Sequence, residues 1–131
     1  MTSWTLTIQS VTPSLNETRR MHWAAIKRAE TVLEWEVISA LNRIPKIPKA
    51  TGKRRLTICR HGHNALDQDN LAGGCKGLVD FIKLRGLLVD DRPRHAELVF
   101  TQKVTRKGPT GMTITIEDIT DQVTVEVTAC A

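Results

Sequence analysis

Apolar and polar residues alternate over positions 4–8, with Trp4, Leu6 and Ile8 set against Thr5 and Thr7, and this period of two predicts a strand. Pro13-Ser14-Leu15-Asn16 reads as a turn, with Asn16 or Thr18 capping the helix after it. Over 18–43 the period changes to that of a helix. Ile26, Ala29, Leu33, Val37, Ala40 and Leu41 form the apolar stripe, Arg19, Lys27, Arg28 and Glu34 lie off it, and Pro45 and Pro48 end it. A strand over 55–60 comes next, then a second helical stripe made of Leu71, Cys75, Leu78, Val79 and Ile82, with Gly86 placed to stop it. Strands are predicted over 97–104 and 112–117, with Lys107-Gly108-Pro109-Thr110-Gly111 as the turn between them. Val123, Val125 and Val127 alternate with Thr and Glu, so residues 122–131 are expected to add an edge strand or a tail. The order β-α-β-α-β-β implies an α+β fold: one domain over 1–131, with a small mixed sheet and two helices on one of its faces.

Composition narrows the class. At 40% hydrophobic and 25% charged the chain is not generally disordered, and 131 residues suffice for one domain. No apolar run reaches membrane-spanning length and the first ten residues lack a signal-peptide pattern, so a cytoplasmic protein with no membrane partner is expected. Cys59, Cys75 and Cys130 are an odd number with no CxxC spacing, which argues against a disulfide framework. The net charge of +5 is unevenly spread: residues 1–64 hold 11 Lys/Arg against 4 Asp/Glu, and residues 65–131 hold 8 against 10. A basic half beside an acidic half points to a polyanionic partner together with a task for carboxylates. Two Phe, three Trp and no Tyr are too few aromatics for a single-strand binder built on base stacking.

The carboxylates cluster. Asp67, Asp69, Asp80, Asp90 and Asp91 fall within 25 residues. In extended backbone Asp67 and Asp69 would face one side and reach one hard cation, and Asp90-Asp91 from a separate loop would close the shell. Carboxylate and water ligands suit Mg²⁺ or Mn²⁺ and not Zn²⁺. The plainer alternative is a helix cap at Asp69-Asn70 and a decorated turn at Asp90-Asp91.

Leu66-Asp67-Gln68-Asp69-Asn70-Leu71, the following helix with Lys76 and Asp80, and Val89-Asp90-Asp91 resemble the RusA-type Holliday junction resolvases. The Pro13-Ser14-Leu15-Asn16 turn before a long helix and the strand ending near Lys103 fit the same family, and the likeness covers roughly Trp4 to Glu117. The resemblance implies a homodimeric, Mg²⁺-dependent endonuclease that cuts branched DNA symmetrically in recombination and repair. It assigns the metal ligands to Asp67, Asp69 and Asp91. The family's essential lysine stands four residues after the second Asp, where this chain has Gly73; the nearest lysine is Lys76, seven residues on. The small Ala72-Gly73-Gly74 run is expected to leave Lys76 a path back toward Asp69. Alternatively, Lys76 pairs with Asp80 on a solvated face.

The basic half supplies expected DNA contacts: Lys46, Lys49, Lys53, Arg54 and Arg55 from the acid-free loop over 46–55, and Arg60 from the strand after it. Cys59, His61 and His63, with Cys75, form at best a weak zinc pattern, and the two histidines are expected beside the DNA. Gly73-Gly74-Cys75-Lys76-Gly77 lacks the spacing of a phosphate loop, and Trp23 and Trp35 are expected in the core or an interface. The same residues also admit a non-catalytic protein that binds branched DNA.

Overall fold

A strand that alternates apolar with polar residues buries only one face, so a sheet of such strands needs a single layer of helices. The computed structural model, which describes residues 2–119, has this arrangement. Strands β1 (Ser3–Ile8), β2 (Arg54–Gly62), β3 (Ala96–Val104) and β4 (Gly111–Asp118) form one mixed sheet in the order β1-β4-β2-β3. β4 runs antiparallel to both β1 and β2, and β2 runs parallel to β3, with Arg54 opposite Ala96 and Gly62 opposite Val104. The strand expected within 122–131 lies outside the described residues.

All four strands form close to where the alternation predicts them, but the 107–111 turn does not join neighbours. β2 stands between β3 and β4. The turn crosses over the end of β2, where the Thr105 N–H donates to the Gly62 carbonyl at 3.0 Å and the His63 ring lies 3.0 Å from the Gly108 carbonyl. The parallel pair β2–β3 needs a long crossover. That crossover is helical, made of α3 (Gln68–Gly74) and α4 (Lys76–Leu84).

Each of the two expected helices is divided in two. Ser14 and Glu17 form a reciprocal capping box, which starts α1 (Leu15–Arg20) earlier than a cap at Asn16 or Thr18 would. Met21 is extended, and His22 caps a new helix, α2 (Trp23–Asn42), its Nδ1 accepting from the Ala24 N–H at 3.1 Å. α1 buries no residue; the apolar stripe belongs to α2 alone. In the second segment, Cys75 ends α3 and begins α4. Gly86, at φ +80°, terminates α4 as expected.

Leu33, Val37 and Ala40 of α2 and Cys75, Leu78, Val79 and Ile82 pack on Leu6, Ile8, Leu56, Ile58, Met112, Ile114 and Ile116 of the sheet. Full burial of one such Leu or Ile stabilises by about 1.5–3 kcal/mol. The opposite sheet face is rich in threonine: Thr5, Thr115 and Thr57, with Val99, make one cross-strand row, and Thr7, Thr113, Cys59 and Thr101 the next. Among the described residues no helix is long and apolar enough to cross a membrane.

Candidate functional site

The C-terminal ends of β2 and β3 carry the first pair of carboxylates. Leu66 is held there by Gln102 of β3, whose side chain accepts from the Leu66 N–H at 3.0 Å and donates to its carbonyl at 2.6 Å. Asp67 comes next as the N-cap of α3 and Asp69 lies in its first turn, both exposed. The two therefore do not share a strand face as the i, i+2 spacing suggests. Each instead stands at the start of a helix, whose partial positive charge favours carboxylates.

Asn70 organises this end. Its backbone N–H donates to Asp67 Oδ1 at 2.9 Å and its Nδ2 donates to Asp67 Oδ2 at 3.2 Å, while its own Oδ1 accepts from the Asn16 N–H of α1 at 3.2 Å. Asn70 thus fixes Asp67 and ties α3 to α1. Behind it, Gly73 and Gly74 lie against the Pro13–Leu15 turn. A Cβ at Gly73 would sit 2.8 Å from Leu15 Cδ2, and one at Gly74 would collide with the Pro13 carbonyl oxygen. The two glycines serve this close approach.

Lys76 begins α4 with its side chain 77% exposed and its Nζ 3.9 Å from Asp80 Oδ2. It stands on a different helix from Asp69, beyond the break at Cys75. In the structure it makes the alternative contact, the i, i+4 pair.

Asp90 and Asp91 occupy the other end of the sheet. Lys83 Nζ lies 3.6 Å from Asp90 Oδ1 and 3.7 Å from Asp91 Oδ1, and Arg92 Nε lies 3.5 Å from Asp90 Oδ2. The Asp91 N–H, 2.8 Å from Asp90 Oδ1, is the main cause holding the Asp90 carboxyl below its ordinary value. A side-chain hydrogen bond with Asp91 and the charges of Lys83 and Arg92 act in the same direction, against a smaller effect of burial. The Arg92 carbonyl accepts from the N–H groups of His95 and Ala96, which anchors this pair beside the start of β3. Asp67 sits near Gln102, six strand residues away, so the two carboxylate pairs are roughly 20 Å apart. Among the described residues no three His, Cys, Asp or Glu side chains gather into a metal-binding group.

The expected DNA contacts divide four ways. Lys46 and Lys49 are exposed and Lys53 is half-buried, all near the Asp90-Asp91 end. Arg60 is half-buried near the Asp67 end, its Nε donating to the Thr12 carbonyl at 3.4 Å. Arg54 is withdrawn from the surface. It is 3% exposed, with Nε donating to Asp118 Oδ1 at 2.8 Å, Nη1 donating to the Leu87 carbonyl at 3.1 Å, and the guanidinium 5.0 Å above the Trp4 ring. Its position facing the helices in β2 explains why: a charge on the apolar face is buried only with its partners. Arg55 faces the open side of the sheet, where Glu97 at 3.1 Å and Glu117 at 3.7 Å neutralise it.

Cys59 and His61 share the open sheet face, His63 holds the 107–111 turn, and Cys75 is buried on the other side of the sheet. These four side chains therefore do not converge. Burial pushes the Cys75 thiol up, against a smaller opposing effect of its hydrogen bond with Thr12. Trp23 and Trp35 are 69% and 67% exposed on α2, so neither belongs to the core of this chain. Asn70 and Gln102 position the first carboxylate pair and Lys83 the second; only the Asn of Asp-Gln-Asp-Asn carried a signal in the sequence. Comparison of the chain with family models, curated proteins and solved structures gives no match.

Proposed function

We propose that this chain is a structure-specific DNA endonuclease of the RusA type, which cuts four-way junctions with Mg²⁺ or Mn²⁺ as a two-fold homodimer. The carrying observation is the exposed helix-start pair Asp67 and Asp69, with Asp67 oriented by Asn70, on the same crossover as the Asp90-Asp91 pair. Exposed carboxylate oxygens are the donors a hard divalent cation takes, and two of them from one protomer make part of a shell. On this reading the separation of roughly 20 Å along the strands leaves Asp91 to come from a second copy related by a two-fold axis. Two such centres related by a two-fold axis match two symmetry-related strands of a junction.

The bound ion would polarise the scissile phosphate and supply a hydroxide-like nucleophile at neutral pH. The chain's residues have separate tasks. Asn70 keeps Asp67 pointed outward, Gln102 holds the segment before it, and Lys76 offers an ammonium for charge developing on the phosphate once it leaves Asp80. Lys46, Lys49, Lys53 and Arg60 remain as backbone-phosphate contacts.

One observation favours a second reading, a binding protein without turnover: Lys76 is engaged with Asp80 and not with Asp69. A labelled synthetic four-way junction incubated with the protein in Mg²⁺, and in EDTA, separates the two. The nuclease cuts only with the metal; binding in both conditions and cutting in neither would establish the second reading.

A further inference from the structure

Where the end of α2 meets the turn after α4, a cavity of about 400 Å³ opens at the Asp90-Asp91 end of the sheet. Its floor is apolar, with Ile47 6% and Leu87 5% exposed. Its rim carries Lys46, Lys49 and Arg85, residues from two segments that only the fold brings together. No carboxylate lines it, and none of the ion pairs among the described residues uses these three cations. By contrast, Arg54, Arg55, Lys76, Lys83 and Arg92 are all paired.

Positive side chains near helix C-termini can serve only to offset the helix dipole. At α2 that role is filled by Arg43, whose Nε donates to the Ser39 carbonyl at 3.2 Å. The rim is also built rather than loose. The Ala50 N–H donates to the Gly86 carbonyl at 2.9 Å, joining the two segments. Gly86 takes φ +80°, and the Lys49 stem packs over it, with Cγ 3.3 Å from where a Cβ would be. Three unpaired cations around a concave apolar floor raise the local positive potential.

We propose that this cavity seats a nucleic-acid backbone phosphate, its sugar against Ile47 and Leu87 and its charge between Lys46, Lys49 and Arg85. The proposal rests on the DNA-cutting reading and adds a second foothold for the strand, away from Asp67 and Asp69. In the proposed two-fold dimer this foothold lies at the end of each protomer that contributes Asp91.

The test is anisotropy of a labelled junction with the full chain in EDTA, across salt concentrations, where cutting plays no part. Replacing Lys46, Lys49 and Arg85 together by Ala should lower the slope of log affinity against log salt by about 0.9, the value for one lost phosphate contact. Arg28→Ala, an exposed charge elsewhere on α2, should leave the slope unchanged. In parallel, amide resonances of Lys46, Ile47, Lys49 and Arg85 should shift with a dinucleotide added to the wild-type protein. An unchanged slope in the triple variant, while wild type binds and cuts, would overturn the seat alone. A reduced slope with no cutting in Mg²⁺ would keep the seat and overturn the nuclease. Shifts with inorganic pyrophosphate but no DNA binding would overturn the seat as a nucleic-acid site.

Discussion

Two inactive variants, mixed, should cut DNA. Asp67→Asn and Asp91→Asn each keep the shape of the side chain and remove a charge that holds the cation, so each homodimer should bind a junction without cleaving it. Oxygens bound to one Mg²⁺ lie about 2.1 Å from it, hence within about 4 Å of each other. Asp67 and Asp91 of one protomer are separated by roughly 20 Å of sheet. The crossover between them cannot bend to close that gap, because Leu71, Cys75, Leu78, Val79 and Ile82 along it are all buried. On the proposed reading a centre would therefore draw Asp67 from one copy and Asp91 from the other. In a mixed dimer one centre then carries both substitutions and the second carries neither. Random exchange makes half the dimers mixed, each with one intact centre, so about one quarter of wild-type cutting should return. The products should be nicks in one strand rather than paired cuts. The assay is single-turnover cleavage of a labelled junction in Mg²⁺ after the variants have been co-refolded, with native mass spectrometry confirming mixed dimers. A mixture that contains mixed dimers and remains as inactive as its parents would refute the shared centre.

Gly74→Ala should cost about 1–3 kcal/mol, because its new methyl meets the Pro13 carbonyl, which cannot move aside like a side chain. Gly77→Ala, where the nearest atom is 3.5 Å away, should instead stabilise the helix by up to about 1 kcal/mol; urea unfolding measures both, and equal effects would refute the packing argument. Arg54→Met should lower stability by about 1–3 kcal/mol through the lost bond to the buried Leu87 carbonyl, yet leave the salt dependence of DNA binding unchanged. A smaller slope would return Arg54 to the DNA surface. Lys76→Ala should slow single-turnover cutting by about a hundredfold if its ammonium serves the phosphate. Asp80→Ala, which breaks the same pair but frees the ammonium, should slow it little; equal and small losses in both would remove Lys76 from the chemistry.

Local pattern alone determined much of this protein. The alternation at 4–8, 55–60, 97–104 and 112–117 marks strands, because a pleated strand presents every second side chain to the core. The stripe from Ile26 to Leu41 marks α2 and the one from Leu71 to Ile82 marks α3 and α4, since their positions recur at helical spacing. Even the divided first helix is legible in hindsight: Ser14-Leu15-Asn16-Glu17 is a capping box, and the segment it begins has no apolar stripe. Only tertiary structure decided which strands adjoin. β4 enters between β1 and β2, a choice made by burying three apolar strand faces under one helix layer, which no local period encodes. That choice and the parallel β2–β3 crossover send Asp67 and Asp91 to opposite ends of the sheet, although their spacing suggested a single shell. They also bury Arg54 under its partners while leaving Lys46, Lys49 and Arg85 around one cavity. A charge in a sequence carries no record of whether water or protein will surround it, because burial is set by neighbours that are distant along the chain.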